Sequence, residues 1–135
     1  LIGQPFSAPQ YLWPRPSVTA EFGYNPSASG GSNSGQTNPD YLKTVAERVK
    51  TLRESGMTGL IPTELAQASA SGLDPHLSPQ AARLQAARIA KARGIPETAV
   101  QKLINENTAG PQLGILGAAR VNVLAVNLKL DTLTR

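Results

Sequence analysis

The sequence predicts an α+β domain, with about three helices packed on a small sheet that includes a C-terminal strand. Three segments have apolar residues at helical spacing behind a proline, which in two of them follows a cap residue, and residues 121–130 alternate as a strand does. The chain has 135 residues, of which 40% are hydrophobic. This length is sufficient for one hydrophobic core, so we predict a single domain spanning residues 1–135.

The first 39 residues are predicted to be mostly loop, because proline recurs in them and interrupts helices. Tyr11–Trp13 and Val18–Ala20 could each form a short extended piece. Ser27–Gly35 contains small and polar residues throughout. The residues before it are too few for a separate domain, so we interpret residues 27–37 as a long Gly/Ser loop within one domain. A loop of this kind suggests a functional use.

The first predicted helix begins at Asn38–Pro39, an N-cap followed by proline, and ends near Gly56. Its apolar residues fall on one face. They are Leu42, Val45, Ala46, Val49 and Leu52.

The second predicted helix runs from Ser78–Pro79 to about Arg93, with Gly94 as its stop. Its apolar face is mostly alanine, so a neighbouring element can approach closely. The residues of this face are Ala82, Ala86, Ile89 and Ala90. Ile95–Pro96 opens the third helix, which has Val100, Leu103 and Ile104 along one side.

The predicted C-terminal strand covers Val121–Leu130. In its second half Val126, Leu128 and Leu130 alternate with polar residues, as in a half-buried strand. Its partners in the sheet are expected from Tyr11–Val18 and Leu60–Ala68.

Composition excludes several classes of protein. The chain has no cysteine, which excludes disulfides and thiolate metal sites. Its longest mostly apolar stretch, Val121–Leu130, is about half the length of a membrane span. The chain begins at Leu1 with neither an initiator methionine nor a signal peptide. We therefore expect it to be part of a longer protein.

Asp74-Pro75-His76-Leu77-Ser78 contains the residue types of a hydrolase triad. Triad members converge from separate parts of a fold, and residues two apart around a proline rarely do so. A tight Asx-type turn at Asp74, followed by a helix that Ser78 caps, is the better interpretation. One histidine and one aspartate also fall short of a metal site.

Two further motifs could indicate a ligand-binding site. The Gly-rich loop could expose backbone N–H groups, but no lysine precedes Lys43, so a phosphate-binding P-loop is excluded. We interpret it as a loop or recognition surface. The second helix carries a basic cluster that we expect to face solvent or a partner, because aromatic platforms for nucleic acid are missing nearby. The cluster comprises Arg83, Arg88, Lys91 and Arg93.

Three segments occur in the chain in a specific order. The first contains Arg15-Pro16-Ser17, Tyr24-Asn25, residues 29–33 and Thr37-Asn38-Pro39. The second is residues 70–79, which lead into Gln85–Arg93, and the third is residues 120–124, which lead into 127–131. With these, the chain resembles the C subunit of the bacterial potassium-transporting P-type ATPase, the Kdp complex. The resemblance covers nearly the whole chain.

The resemblance implies a non-catalytic accessory subunit of an ATP-driven, high-affinity potassium uptake complex. It implies a domain on the outer or periplasmic side of the cytoplasmic membrane, behind an N-terminal membrane helix that this chain lacks. Its implied partners are the potassium-translocating subunit, which it helps to assemble, and the ATP-hydrolysing subunit, whose ATP affinity it is proposed to raise. A nucleotide-ligating glutamine of the family matches Gln85.

No catalytic residue, metal or resident cofactor is expected, although ATP is possible through the family proposal. The candidate subunit contacts are Gly30, Gly31, Ser32, Asn33, Thr37, Asn38, Ser71, Gly72, Asp74 and His76. The alternative is a nucleotide-binding regulatory domain, which would require measurable ATP affinity in this chain alone. A nucleic-acid binder would instead show salt-dependent DNA binding.

Overall fold

The computed structural model describes residue 4 and residues 6–17, 38–67, 74–110 and 118–133. Its elements in chain order are α1 Pro39–Glu54, α2 Thr63–Ala66, β1 His76–Leu77, α3 Pro79–Arg83, α4 Ala86–Arg93, α5 Glu97–Glu106, β2 Thr108–Ala109, β3 Arg120–Asn122 and α6 Val123–Leu133. Helices and a small antiparallel sheet share one hydrophobic core, which confirms the predicted α+β class.

Helix α1 begins and ends as predicted. The Asn38 side-chain oxygen accepts hydrogen bonds from the backbone N–H groups of Asp40 at 2.9 Å and Tyr41 at 3.3 Å. Just after the helix, Gly56 has a φ of 97°, a left-handed conformation that favours glycine. The apolar face is less buried than predicted: Leu52 lies in the core, whereas Leu42 is 51% exposed.

The second predicted helix is interrupted, and this is a correction. Helix α3 ends at Arg83 and α4 begins at Ala86. Between them the Gln85 N–H bonds to the Ala82 carbonyl, three residues back rather than four, which interrupts the regular α-helical pattern. The predicted boundaries hold, because the Ser78 hydroxyl caps Ala81 N–H at 3.1 Å and Gly94 is left-handed with a φ of 65°.

The alanine face of α3 and α4 is buried as predicted, and α4 packs on α5. Helix α5 itself is confirmed at Glu97–Glu106, with Val100, Leu103 and Ile104 buried. It also contacts α3 and α6.

The sheet has the order β1-β3-β2, and both pairings are antiparallel. Leu77 of β1 and Thr108 of β2 are both paired with Val121 of β3, which is fully buried. The two predicted sheet partners were wrong. Residues 11–17 carry no strand, and the segment 60–67 contains the short helix α2.

The C-terminal stretch is a strand only over Arg120–Asn122 and continues as helix α6, so the strand predicted to Leu130 was wrong. Val123, Val126, Asn127 and Leu130 recur at spacings of three and four, and all four are buried. The Asn122 side chain accepts from Ala125 N–H at 2.9 Å at the start of this helix. A polar residue at position 127 had favoured the alternating pattern.

Residues 6–17, which we name the strap, are the N-terminal part of the described fold. Leu12 of the strap is fully buried and belongs to the same core cluster as Leu130 of α6 and Ile89 of α4. The strap is therefore packed on the helices although it carries no regular secondary structure.

Candidate functional site

Two buried side-chain amides hold the strap. The Leu12 N–H donates to the Asn127 side-chain oxygen at 2.8 Å, and the Asn127 amide nitrogen donates to the Leu12 carbonyl at 3.0 Å. One residue further along, the Trp13 N–H donates to the Gln85 side-chain oxygen at 2.8 Å, and the Gln85 amide nitrogen donates to the Trp13 carbonyl at 3.1 Å. Each amide thus pairs with one residue of the strap as a neighbouring strand would.

Two arginines of α4 add charged contacts. Arg88 donates to the carbonyls of Pro9 at 3.2 Å and Tyr11 at 2.6 Å, and its guanidinium lies 3.8 Å from the centre of the Trp13 ring. Burial lowers the pKa of Arg88 to about 10, which leaves the group charged at neutral pH.

The Arg93 side chain is only 5% exposed. It donates to the carbonyls of Gln10 at 2.7 Å and Leu130 at 2.9 Å, and it pairs with Asp131 at 3.0 Å. The Tyr11 hydroxyl donates to the same aspartate at 3.2 Å.

The basic cluster of the second predicted helix is therefore divided, which corrects the expectation that it faces solvent or a partner. Arg88 and Arg93 bind the strap, whereas Lys91 is exposed and Arg83 bonds to Asn105 on the surface. Two of the four cations are thus part of the packing of the domain and are not available as an open nucleic-acid stripe.

An open cleft of about 590 Å³ lies between the strap and helices α1 and α2. Its apolar lining includes Phe6, Trp13, Pro14, Leu52 and Leu65. Arg15, Arg48 and Glu47 add charge. Arg48 also donates to the Ala66 carbonyl at 3.1 Å, which ties α1 to α2, and partial burial lowers its pKa.

Asp74 contacts the cleft lining at Arg15, whose guanidinium is 3.4 Å from the Asp74 carboxylate. The Asp74 carboxylate accepts from the His76 backbone N–H at 3.0 Å, which confirms the predicted Asx-type turn. The His76 ring nitrogen Nδ1 lies 3.4 Å from the same carboxylate. The side chains of Asp74 and His76 are about one-third exposed, at 35% and 33%.

Ser78 forms its hydrogen bonds with Glu64 and with the start of α3. Its hydroxyl donates to Glu64 and caps α3, and its backbone N–H donates to Glu64 at 3.0 Å. Because its proton goes to Glu64 rather than to His76, Ser78 does not form the serine–histidine pair of a hydrolase. Among the described residues, no group of three or more histidines and acidic residues could hold a metal ion.

The sequence-predicted site residues fall into three groups. Seven lie outside the described residues: Gly30, Gly31, Ser32, Asn33, Thr37, Ser71 and Gly72. The other three contact candidates are described: Asn38 caps α1, whereas Asp74 and His76 lie together, with Asp74 against Arg15 of the cleft lining. The nucleotide contact at Gln85 stays a prediction, and in this structure its buried amide is bonded to Trp13 and Arg88.

Sequence reasoning missed the partners of the strap. Asn127 had been assigned to the outward face of a strand, and Trp13 and Asp131 had been given no role. One usable signal was the polar residue at position 127 within an otherwise helical apolar pattern, since buried amides need partners.

Comparison with known proteins identifies the family. The family model described as "K+-transporting ATPase, c chain" matches residues 1–132. The chain therefore belongs to the KdpC family.

Relatives of this family are similar along almost the entire chain. The potassium-transporting ATPase KdpC subunit of Geobacter metallireducens is 65% identical over 133 residues, which are 98% of this chain and 70% of that protein. The subunit of the same name from Geobacter sulfurreducens is 63% identical over the same coverage. That of Methylococcus capsulatus is 52% identical over 98% of this chain and 71% of the relative. In the part of the chain that the structure describes, no helix is long and apolar enough to cross a membrane.

Proposed function

We propose that this KdpC-family chain is the non-catalytic accessory domain of an ATP-driven, high-affinity potassium uptake complex. It stabilises assembly of the complex and supports ATP-coupled potassium transport. The observation that carries the proposal is the match to the c chain of the K+-transporting ATPase over residues 1–132. The domain is proposed to sit on the outer or periplasmic side of the cell membrane, behind a membrane helix that precedes it in the full subunit.

The geometry of the described residues supports a role without catalysis. The three side chains that could have formed a hydrolytic centre have structural partners: Asp74 orders a turn, His76 lies against Asp74, and Ser78 bonds to Glu64. Ser78 acts as a helix cap, because its hydroxyl oxygen accepts from the Ala81 N–H at 3.1 Å while its hydroxyl and its backbone N–H both donate to Glu64. We expect no phosphate release above background from the purified chain.

The proposed contact surface is the cleft between the strap and α1, together with Asp74 and His76 at its rim. It combines an apolar lining with charged groups, as the contact surfaces of assembled subunits do. The loop residues Gly30, Gly31, Ser32, Asn33 and Thr37, and the turn residues Ser71 and Gly72, are proposed to extend it. The partner is the potassium-translocating subunit, and the ATP-hydrolysing subunit is the second partner in the complex.

We propose that this domain affects the ATP affinity of the hydrolysing subunit by stabilising assembly of the complex, and not by binding a nucleotide itself. The Gln85 amide already makes three hydrogen bonds, two to Trp13 and one from Arg88. A nucleotide could use that amide only after those bonds were broken. Equilibrium dialysis of ATP against the purified chain tests this: saturable binding that Gln85→Ala removes, with Trp13 fluorescence unchanged, would favour the regulatory nucleotide site instead.

The contact surface is tested by obstructing the cleft in the assembled complex. Thr51→Arg adds a long charged side chain at an exposed position of α1 that lines the cleft. Thr98→Arg makes the same change at an exposed position of α5, away from the cleft lining. We expect Thr51→Arg to lower co-purification of the other subunits and Thr98→Arg to leave it unchanged, with both chains equally stable. Equal co-purification of the two variants would contradict the proposed surface.

A further inference from the structure

The strap is bound by side chains that form hydrogen bonds with its backbone. Four residues form hydrogen bonds with the backbone groups of five successive strap residues, Pro9 to Trp13. Two of the four lie on α4, one lies on α6 and one immediately precedes α4. We name these four the strap groove: Gln85, Arg88, Arg93 and Asn127. Backbone groups are the same in every peptide, so these contacts recognise the backbone conformation of the segment rather than a particular sequence.

Side-chain recognition is concentrated at two neighbouring positions. Leu12 is fully buried in the core cluster, and the Trp13 ring lies under the Arg88 guanidinium. This combination of backbone hydrogen bonds and a few side-chain pockets is the usual chemistry of peptide recognition by protein grooves.

The strap also organises its own shape. The Tyr11 N–H donates to the Ala8 carbonyl at 3.1 Å, and the Trp13 indole N–H donates to the same carbonyl at 2.9 Å. Within the ranges the structure describes, residues 8–13 make backbone-to-backbone hydrogen bonds only with one another. The segment is thus a turn that packs on side chains of the helices, and it is not part of the β-sheet.

We propose that the strap groove is a peptide-binding site, and that residues 6–17 occupy it as a replaceable ligand from the same chain. The side-chain amides of Gln85 and Asn127 would meet water if the strap left, so its release would not leave them buried without partners. The sheet and helices α3–α6 contribute most of the core cluster without the strap. The position of the chain that precedes residue 6 is then set by occupancy of the groove.

The experiment cuts the strap away from a domain that has already folded. A protease site is inserted between Gly30 and Gly31 of the 135-residue chain, and the purified protein is cleaved. Trp13 is the only tryptophan of the chain, so the strap fragment carries all of the tryptophan fluorescence and the remaining body carries none. A synthetic peptide of residues 6–17 is then added. It carries Trp13 as well but differs from the strap fragment in mass, so its exchange for the fragment is followed by native mass spectrometry.

We expect the cleaved fragments to stay associated and the added peptide to replace the strap fragment in a saturable way. Gln85→Ala and Asn127→Ala should each weaken binding of the peptide by about tenfold or more, since each leaves one N–H and one carbonyl unpaired. Gln101→Ala on α5, which removes an amide bonded to Glu97 on the surface, is the control and should change binding less than about twofold.

Two results would overturn the proposal. If the body loses its helical circular dichroism as the strap fragment leaves, the strap is part of the core and not a ligand. If the body stays folded but binds the peptide equally well with and without the Gln85 and Asn127 amides, the groove does not recognise the strap. Retained helicity with amide-dependent rebinding supports the proposal.

Discussion

Helices α1 and α6 both carry apolar residues at helical spacing, but they are buried to very different extents. On α6, Val123, Val126 and Leu130 are buried, and the polar Asn127 between them is buried as well. On α1, Leu52 is buried while Leu42 at the other end of the stripe is half exposed. The apolar spacing predicted a helix for α1 but a strand for α6, and in neither case did it predict the depth of burial, which depends on the elements that cover the segment.

Polar side chains also differ in burial between the two regions. Around α4 and α6 they point inward and bind the strap, as Gln85, Asn127 and Arg93 do. On α1 the ion pair between Lys50 and Glu54, at 3.9 Å, is mostly exposed. Buried polar groups with partners define one arrangement of the chain, whereas exposed pairs contribute little to stability. We therefore expect substitutions near α6 to have much larger effects than those on α1.

The largest effect is expected from Leu130→Ala. The side chain is fully buried in the core cluster, and its removal leaves a cavity. The free energy of unfolding should fall by about 2–5 kcal/mol, measured by chemical denaturation. A loss as small as that of an exposed leucine would show that α6 is not the buried helix.

The next largest effect is expected from Asn127→Leu, which keeps the branched shape of the side chain but removes both hydrogen bonds to Leu12. Stability should fall by about 2 kcal/mol, because the Leu12 N–H and carbonyl lose their partners. Trp13 emission should shift as well, since the neighbouring residue of the strap is released. Unchanged stability together with unchanged emission would contradict the role of the amide.

Smaller effects on stability are expected from substitutions of the two helix caps. Ser78→Ala removes the cap of α3 and the hydrogen bond to Glu64, and should lower stability by about 1 kcal/mol. Asn38→Ala removes the cap of α1. Its effect on the global denaturation midpoint should be smaller, because the start of α1 can fray without opening the core. The reverse order would place α1 within the cooperative core.

The smallest effect is expected from Leu42→Ala. It is the same chemical change as Leu130→Ala, made at a position that is 51% exposed. Stability should change by no more than about 0.5 kcal/mol. In the assembled complex, however, this variant should lower co-purification if a partner covers the apolar side of α1, and this separates an exposed face from a contact face.

Local signals in the sequence determined the helix boundaries near caps and stops. Asn38, Ser78, Gly56 and Gly94 act where they were predicted to act, because capping and left-handed turns involve residues only a few positions apart. The Asx-type turn at Asp74 is local in the same way and was also predicted.

Only the tertiary structure decided which residues meet across the fold. The hydrogen bonds from Gln85 to Trp13 and from Asn127 to Leu12 join positions 72 and 115 residues apart, and no local pattern encodes such a pairing. The same long-range contacts placed Asn127 inside a helix although its polarity favoured the outward face of a strand. Local propensity is a weak preference that burial and hydrogen bonding to distant partners can override, so the caps could be predicted from the sequence and the strap groove could not.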